Sequence, residues 1–163
     1  MINADILSLM GHTAMGTRLK RAGQMMQAAA QKWLEAQGCD LPSAQMPVIA
    51  ALSFHGARTT GELAETLGIA QPGVSRLIAG MEKAGWVRSK ADETDKRIRL
   101  ITLSDAGAEL AAKAERDYWP VIGRAVEQIT TGLEGDFLAQ LETLELRLSA
   151  GALDQALKEE TLS

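Results

Sequence analysis

"TTGELAETLGIAQPGVSRLIAGMEKAGWV", residues 59–87, reads as two short helices joined at a glycine. Thr59 and Glu62 have the spacing of a capping box, in which hydroxyl and carboxylate each satisfy the other's backbone N–H. Leu63, Ala64 and Leu67 fall on the inner side of the helix that follows, and Gly68 ends it at a position suited to a left-handed cap. Pro72 opens the second helix in its first turn, where a missing N–H does little harm. Two helices separated by about four residues at a glycine form the helix-turn-helix pattern.

The second helix has an unusual outer face. Val74, Leu77, Ile78 and Met81 recur at i, i+3, i+4 and i+7 and make the inner stripe. Opposite them lie Pro72, Arg76, Ala79 and Lys83, flanked by Gln71, Gly73, Ser75 and Gly80. Each of the two glycines costs about 1 kcal/mol relative to alanine, so the pair asks for a reason. A thin face lets a helix lie close to a surface, either a nucleic acid or another helix. On a duplex, Arg76 and Ser75 would have room to reach a base edge or a phosphate. The helix N-terminus would add free N–H groups and the positive end of its dipole. The plain alternative is a solvent-facing helix that happens to be rich in Gly and Ala.

Working outward, residues 86–91 and 96–103 are β-prone arms on either side of the polar turn 92–95. Arg88, Lys90, Lys96, Arg97 and Arg99 lie on or beside this hairpin. Alone it could be a solvated hairpin. Directly after a helix-turn-helix it reads as a wing that grips a phosphate backbone or enters a minor groove.

The flanks are helical. Met15, Leu19, Ala22, Met26, Ala29 and Trp33 alternate at spacings of four and three, a stripe that wants a second helix beside it, and Gly38 stops the helix. Ser43 is read as the N-cap of the next helix, with Val48, Ile49 and Leu52 inward, Pro47 near its start and Gly56 at its end. Ser104 caps a helix that Pro120 kinks or interrupts. Residues 130–135 form a loop with a second capping-box pattern. A helix with Phe137, Leu138, Leu141, Leu144 and Leu148 inward follows, and then a weakly amphipathic tail from Gly151. These stripes exceed what a small winged helix can cover. They bury economically against each other and against a second subunit; the alternative is a larger monomeric helical core. The expected fold class is mostly α with a small β wing. A winged helix-turn-helix lobe spans 41–103, and 1–40 with 104–163 form a helical dimerisation region.

Composition bounds the function. The chain has 163 residues and a formal charge of −4, yet residues 57–99 hold eight Lys/Arg against six Asp/Glu, so basic charge collects mid-chain. No apolar run reaches the roughly 20 residues that span a bilayer, and no signal-peptide pattern opens the chain, so a cytoplasmic protein without a membrane partner is expected. The single Cys39 gives no disulfide framework and is read as an incidental thiol in preference to a redox sensor. His12 and His55 are far apart in sequence, and no metal set, phosphate loop or catalytic constellation is signalled. No enzyme and no cofactor are expected.

Residues 59–110 resemble the MarR family of bacterial winged-helix transcription regulators. Asp95-Lys96-Arg97 matches the family's DxR wing signature, Leu103-Ser104-Asp105-Ala106-Gly107 its L-T/S-x-x-G, and Ser75-Arg76-Leu77-Ile78 its recognition-helix run. The resemblance implies a homodimer joined through its N- and C-terminal helices, binding a pseudo-palindromic operator as a ligand-responsive repressor. The helix from Pro72 would enter the major groove and the wing the minor groove, with Arg97 at its tip and Asp95 bracing the wing on an arginine. Where the family often has an arginine this chain has Ser89, which leaves Arg76, Arg88 or Arg99 for that role. The resemblance also implies a small aromatic or phenolic inducer in a crevice, for which Met25, Met26, Trp33 and Met46 are candidates, although a Met-rich helix is more often plain core. The rival reading is a winged-helix protein-interaction module with little affinity for DNA.

Overall fold

The computed structural model describes residues 5–91, 95 and 98–162, the last two without their side chains. It is mostly helical, with one two-stranded antiparallel sheet among the described residues. The chain divides into two compact units, up to Pro120 and from Val121.

The first unit opens with a short helix α1 (Ile6–Leu9), a 3-10 turn (Gly11–Ala14) and the long helix α2 (Met15–Ala36). Leu34 is the buried residue of α2, while Met15, Leu19 and Met26 of the expected stripe are 38–44% exposed. Ser43 does not cap the next helix. It lies in a 3-10 turn (Ser43–Gln45), donating its N–H to Gln31 at 2.5 Å and its hydroxyl to the Gln27 carbonyl at 3.2 Å. Those bonds to α2 replace the cap, and α3 starts later, at Met46–His55, with Pro47 in its first turn. Val48, Ile49 and Leu52 of α3 pack with Leu34, Leu41, Leu63, Val74 and Met81 in a core whose members are almost fully buried.

Next come α4 (Thr60–Leu67), α5 (Gln71–Lys83), β1 (Val87–Ala91), β2 (Arg99–Leu103) and α6 (Asp105–Lys113). Val87 pairs with Leu103 and Ala91 with Arg99. A bridge that periodicity did not announce joins Arg58 to Ile101, with N–H···O bonds of 3.1 and 2.7 Å, so the root of the wing is stitched to the start of the helix-turn-helix. Ser104 caps α6 as expected, accepting from Gly107 N–H at 3.0 Å while donating to the Gly85 carbonyl at 2.5 Å.

The regular α-helical ladder is interrupted just before Pro120, as expected. Residues Ala114–Tyr118 widen into a π-helical turn, in which Trp119 N–H reaches back five residues to the Ala114 carbonyl. Proline offers no N–H to the carbonyl four residues before it and its ring crowds that carbonyl; a one-residue insertion in the ladder accommodates both. Helix α7 (Trp119–Thr130) then begins with Pro120 in its first turn.

The second unit holds the rest of α7, α8 (Phe137–Ser149) and α9 (Ala152–Leu162). The cap of α8 is Asp136, which accepts from Ala139 N–H at 3.1 Å. The threonines expected to start a capping box instead close α7, donating their hydroxyls to the Val126 and Glu127 carbonyls. Leu141 and Leu144 are half-buried, but Leu138 and Leu146 are 66% and 70% exposed and Phe137 and Leu148 are also open.

Candidate nucleic-acid interface

Helix α4 starts and stops by local chemistry. Thr59 and Glu62 form the capping box, with Glu62 N–H to Thr59 at 3.2 Å and Thr59 N–H to the Glu62 carboxylate at 2.7 Å. Those hydrogen bonds, the backbone one foremost, hold the Glu62 carboxyl below its usual range. At the other end Gly68 takes φ +62°. Ile69 N–H bonds the Ala64 carbonyl and Gly68 N–H that of Glu65, which is the Schellman arrangement. This turn delivers the chain directly into α5.

Helix α5 buries Val74, Ile78 and Met81, with Leu77 half-buried. Gln71, Pro72, Ser75, Arg76, Ala79 and Lys83 are all exposed on its other side. Arg76 is exposed, and among the described residues its contact is a long one, Nε to the Pro72 carbonyl at 3.4 Å, which leaves the guanidinium open to a partner. The two glycines have different reasons. A Cβ on Gly73 would sit 3.1 Å from the Ile69 side chain, so this glycine serves the packing of the turn. A Cβ on Gly80 would meet Gln45 Nε2 at 3.9 Å, an ordinary contact, so nothing among the described residues requires a glycine there.

The sheet register sorts the wing's basic residues onto two faces. Directly opposed residues share a face, so Arg88 and Lys90 lie with Thr102 and Leu100. Arg99 lies on the other face, in line with buried Ile101 and Val87, though its own side chain is exposed. Arg88 pairs with Asp105 at 3.3 Å, a contact with both partners largely in solvent. Ser89, on the inner face and half-buried, donates its hydroxyl to the Glu82 carboxylate at the end of α5. Asp95 is half-buried, and its carbonyl accepts from Ile98 N–H at 2.9 Å. Lys96 and Arg97 lie outside the described residues.

The four candidate effector residues differ in their surroundings. Met25 is 67% exposed and lines an open groove with His12, Met15, Arg18 and Leu19. Met26 is 40% exposed, whereas Met46 is buried. Trp33 packs edge-on to Tyr118 with centroids 5.8 Å apart. Cys39 is a buried free thiol. Lys113 Nζ lies over the Tyr118 ring, 5.3 Å from its centroid, and its interaction with Tyr118 raises the lysine's pKa. Among the described residues no group of three His, Cys, Asp or Glu could hold a metal ion, and no helix is long and apolar enough to cross a membrane.

Reasoning from sequence missed Arg58, Glu82 and Asp105. Each acts through a partner distant in sequence, so no local pattern marks it.

Residues 40–98 match the model of the MarR family. The chain is 30% identical over 110 residues to the transcriptional activatory protein BadR of Rhodopseudomonas palustris, covering 66% of this chain and 57% of that one. Over 79 residues it is 34% identical to an HTH-type transcriptional regulator of Mycobacterium leprae, covering 47% and 55%. The chain thus spans about half the length of the curated relatives it matches. A solved structure of a MarR variant from E. coli complexed with operator DNA superposes with a TM-score of 0.69 at 21% identity, covering 89% and 99%. Bordetella bronchiseptica BpsR, whose DNA binding is described as regulated by 6-hydroxynicotinic acid, gives 0.61 at 23%, covering 84% and 92%. These likenesses agree with the helical lobe and two-stranded wing: the chain has the winged helix-turn-helix fold of the MarR regulators, and its residues 40–98 match that family's model.

Proposed function

We propose that the chain binds double-stranded DNA as a homodimer and regulates transcription, with α5 in the major groove and the wing beside it. The observation that carries this is the outer face of α5, which keeps Gln71, Ser75, Arg76, Ala79 and Lys83 exposed around a Gly80 that no contact among the described residues requires. A rod thinned on its outer side, with one mobile guanidinium and one hydroxyl, suits a groove floor: Arg76 can fork to a guanine edge and Ser75 can bond at short range. Lys83, Arg88, Lys90 and Arg99 supply a phosphate term, together with Lys96 and Arg97 by resemblance. The net charge of −4 keeps the rest of the molecule off the duplex. The work would be done in the cytoplasm, where the DNA is.

The dimer is proposed on the open apolar faces of α2 and of α8, which each subunit leaves to water. Two recognition helices about 34 Å apart would read half-sites one turn apart. Repression by occupancy is the simpler mode, since it needs binding alone; activation, the mode named for BadR, needs a further surface for the transcription machinery. A small aromatic effector, of the class that 6-hydroxynicotinic acid represents for BpsR, would act by favouring a lobe spacing that no longer fits the duplex. Its leverage is its differential affinity for the two states. Of the candidate residues, Met25 in its open groove remains available to such a ligand, while Trp33 and Met46 serve the chain's own packing.

Titration of a mixed-sequence duplex at low and moderate salt tests the reading. Binding that weakens steeply with salt is expected. Salt-independent or absent binding would leave the wing and α5 as a protein-docking surface.

A further inference from the structure

We infer that Glu82 and Ser89 are positioning residues for the wing: their hydrogen bond ties β1 to the last turn of α5, so that helix and wing meet one duplex as a unit. The inference rests on the DNA-binding reading above. Glu82 needs explaining under that reading, because a carboxylate on a duplex-facing helix repels phosphate and adds nothing to binding by its charge. Its contact supplies the explanation. The Ser89 hydroxyl donates to the Glu82 carboxylate across seven residues of chain, from the inner, half-buried face of β1. Ser89 also stands opposite Ile101, the residue that carries the Arg58 bridge, so helix, wing and sheet root converge at this point. The other polar tie of β1, Arg88 to Asp105, is 3.3 Å long with side chains 57% and 93% exposed, and a pair so open to solvent holds little. The Trp86 N–H to Met81 carbonyl bond at 2.9 Å fixes where the chain leaves α5, and the Glu82–Ser89 bond is a side-chain tie between that last turn and the strand beyond it.

Ser89→Ala separates positioning from charge, because it removes no charge. The tie predicts that Ser89→Ala weakens binding to a mixed-sequence duplex about fivefold, the scale of one typical net hydrogen bond. It also predicts a fall in the salt slope of about 1, as wing contacts to phosphate are lost. Ser89→Thr, which keeps the hydroxyl and suits a strand, should restore both. A purely electrostatic Glu82 predicts instead that Glu82→Gln tightens binding while Ser89→Ala changes nothing, and that result would overturn the inference. Hydrogen exchange gives a readout without DNA: in Ser89→Ala the β1 amides should exchange faster while those of α3 and α6 keep their rates. Unchanged β1 exchange refutes the tie itself. Failure of the wild-type chain to bind duplex refutes the reading beneath it.

Discussion

Gly107→Ala offers the sharpest test of how the lobe is assembled. A Cβ built on Gly107 would lie 2.0 Å from the Trp86 carbonyl oxygen, 3.1 Å from its carbon and 3.4 Å from the Leu103 side chain. The first obstacle is backbone and cannot rotate away, so α6 must back off by more than an ångström. That movement strains three linked contacts: Ser104 N–H to the Trp86 carbonyl at 3.0 Å, Gly107 N–H to the Ser104 hydroxyl at 3.0 Å, and that hydroxyl to the Gly85 carbonyl at 2.5 Å. Overpacking costs about 1–3 kcal/mol. Loss of a serine cap adds roughly 1 kcal/mol. The gain in helix propensity returns about 1 kcal/mol. A net loss of about 1–3 kcal/mol is expected, a sizeable part of a typical domain's 5–15 kcal/mol. Urea unfolding followed by circular dichroism reads it as a lowered midpoint. Gly80→Ala is the control, since its Cβ meets nothing nearer than 3.9 Å, and it should be neutral or stabilising by up to about 1 kcal/mol. A Gly107→Ala midpoint equal to wild type would refute the packing argument.

Other expectations are as concrete. Arg76→Ala should cost about 1–3 kcal/mol on a preferred site and much less on random duplex, as seen in competition gel shifts; equal losses on both would remove Arg76 from base readout. Thr59→Ala should lower stability by about 1 kcal/mol through loss of the α4 cap. Because the Glu62 carboxyl is held below its unfolded value of 4.5, its contribution is fully present above that pH and fades as acid protonates it; Glu62→Gln should flatten the acid limb of stability against pH, and an unaltered limb would exclude the capping box as its source. The paired change Leu138→Glu with Leu146→Glu should yield monomers in analytical ultracentrifugation, and a persisting dimer would move the subunit contact elsewhere.

What sequence revealed was local. Thr59 with Glu62, Gly68, Pro72 and Ser104 each act within about four residues, and each takes its expected role. Where expectation failed, a distant partner intervened. Ser43 is claimed by Gln31 and Gln27 of α2, so it caps nothing. The interruption expected at Pro120 does occur, but its form, a π turn in the residues before the proline, was not foreseen. At Gly73 a tight approach to the Ile69 side chain, invisible in the sequence, stands beside the reading of a face thinned for a partner. The basic wing residues were visible as composition, but their division between two faces came only with the register, and the commitment of Arg88 to Asp105 only with the start of α6. The effector residues were least legible, because a methionine on a helix looks the same whether it lines a crevice, faces a partner or fills a core.

The central claim is that two α5 helices, presented by one dimer, read one duplex. Hydroxyl-radical footprinting of the DNA upstream of the protein's own coding region tests it most directly. Two protected patches centred about one helical turn apart are expected, on a sequence with approximate two-fold symmetry. A single unsymmetrical patch, or none at concentrations where the chain is folded, would contradict it.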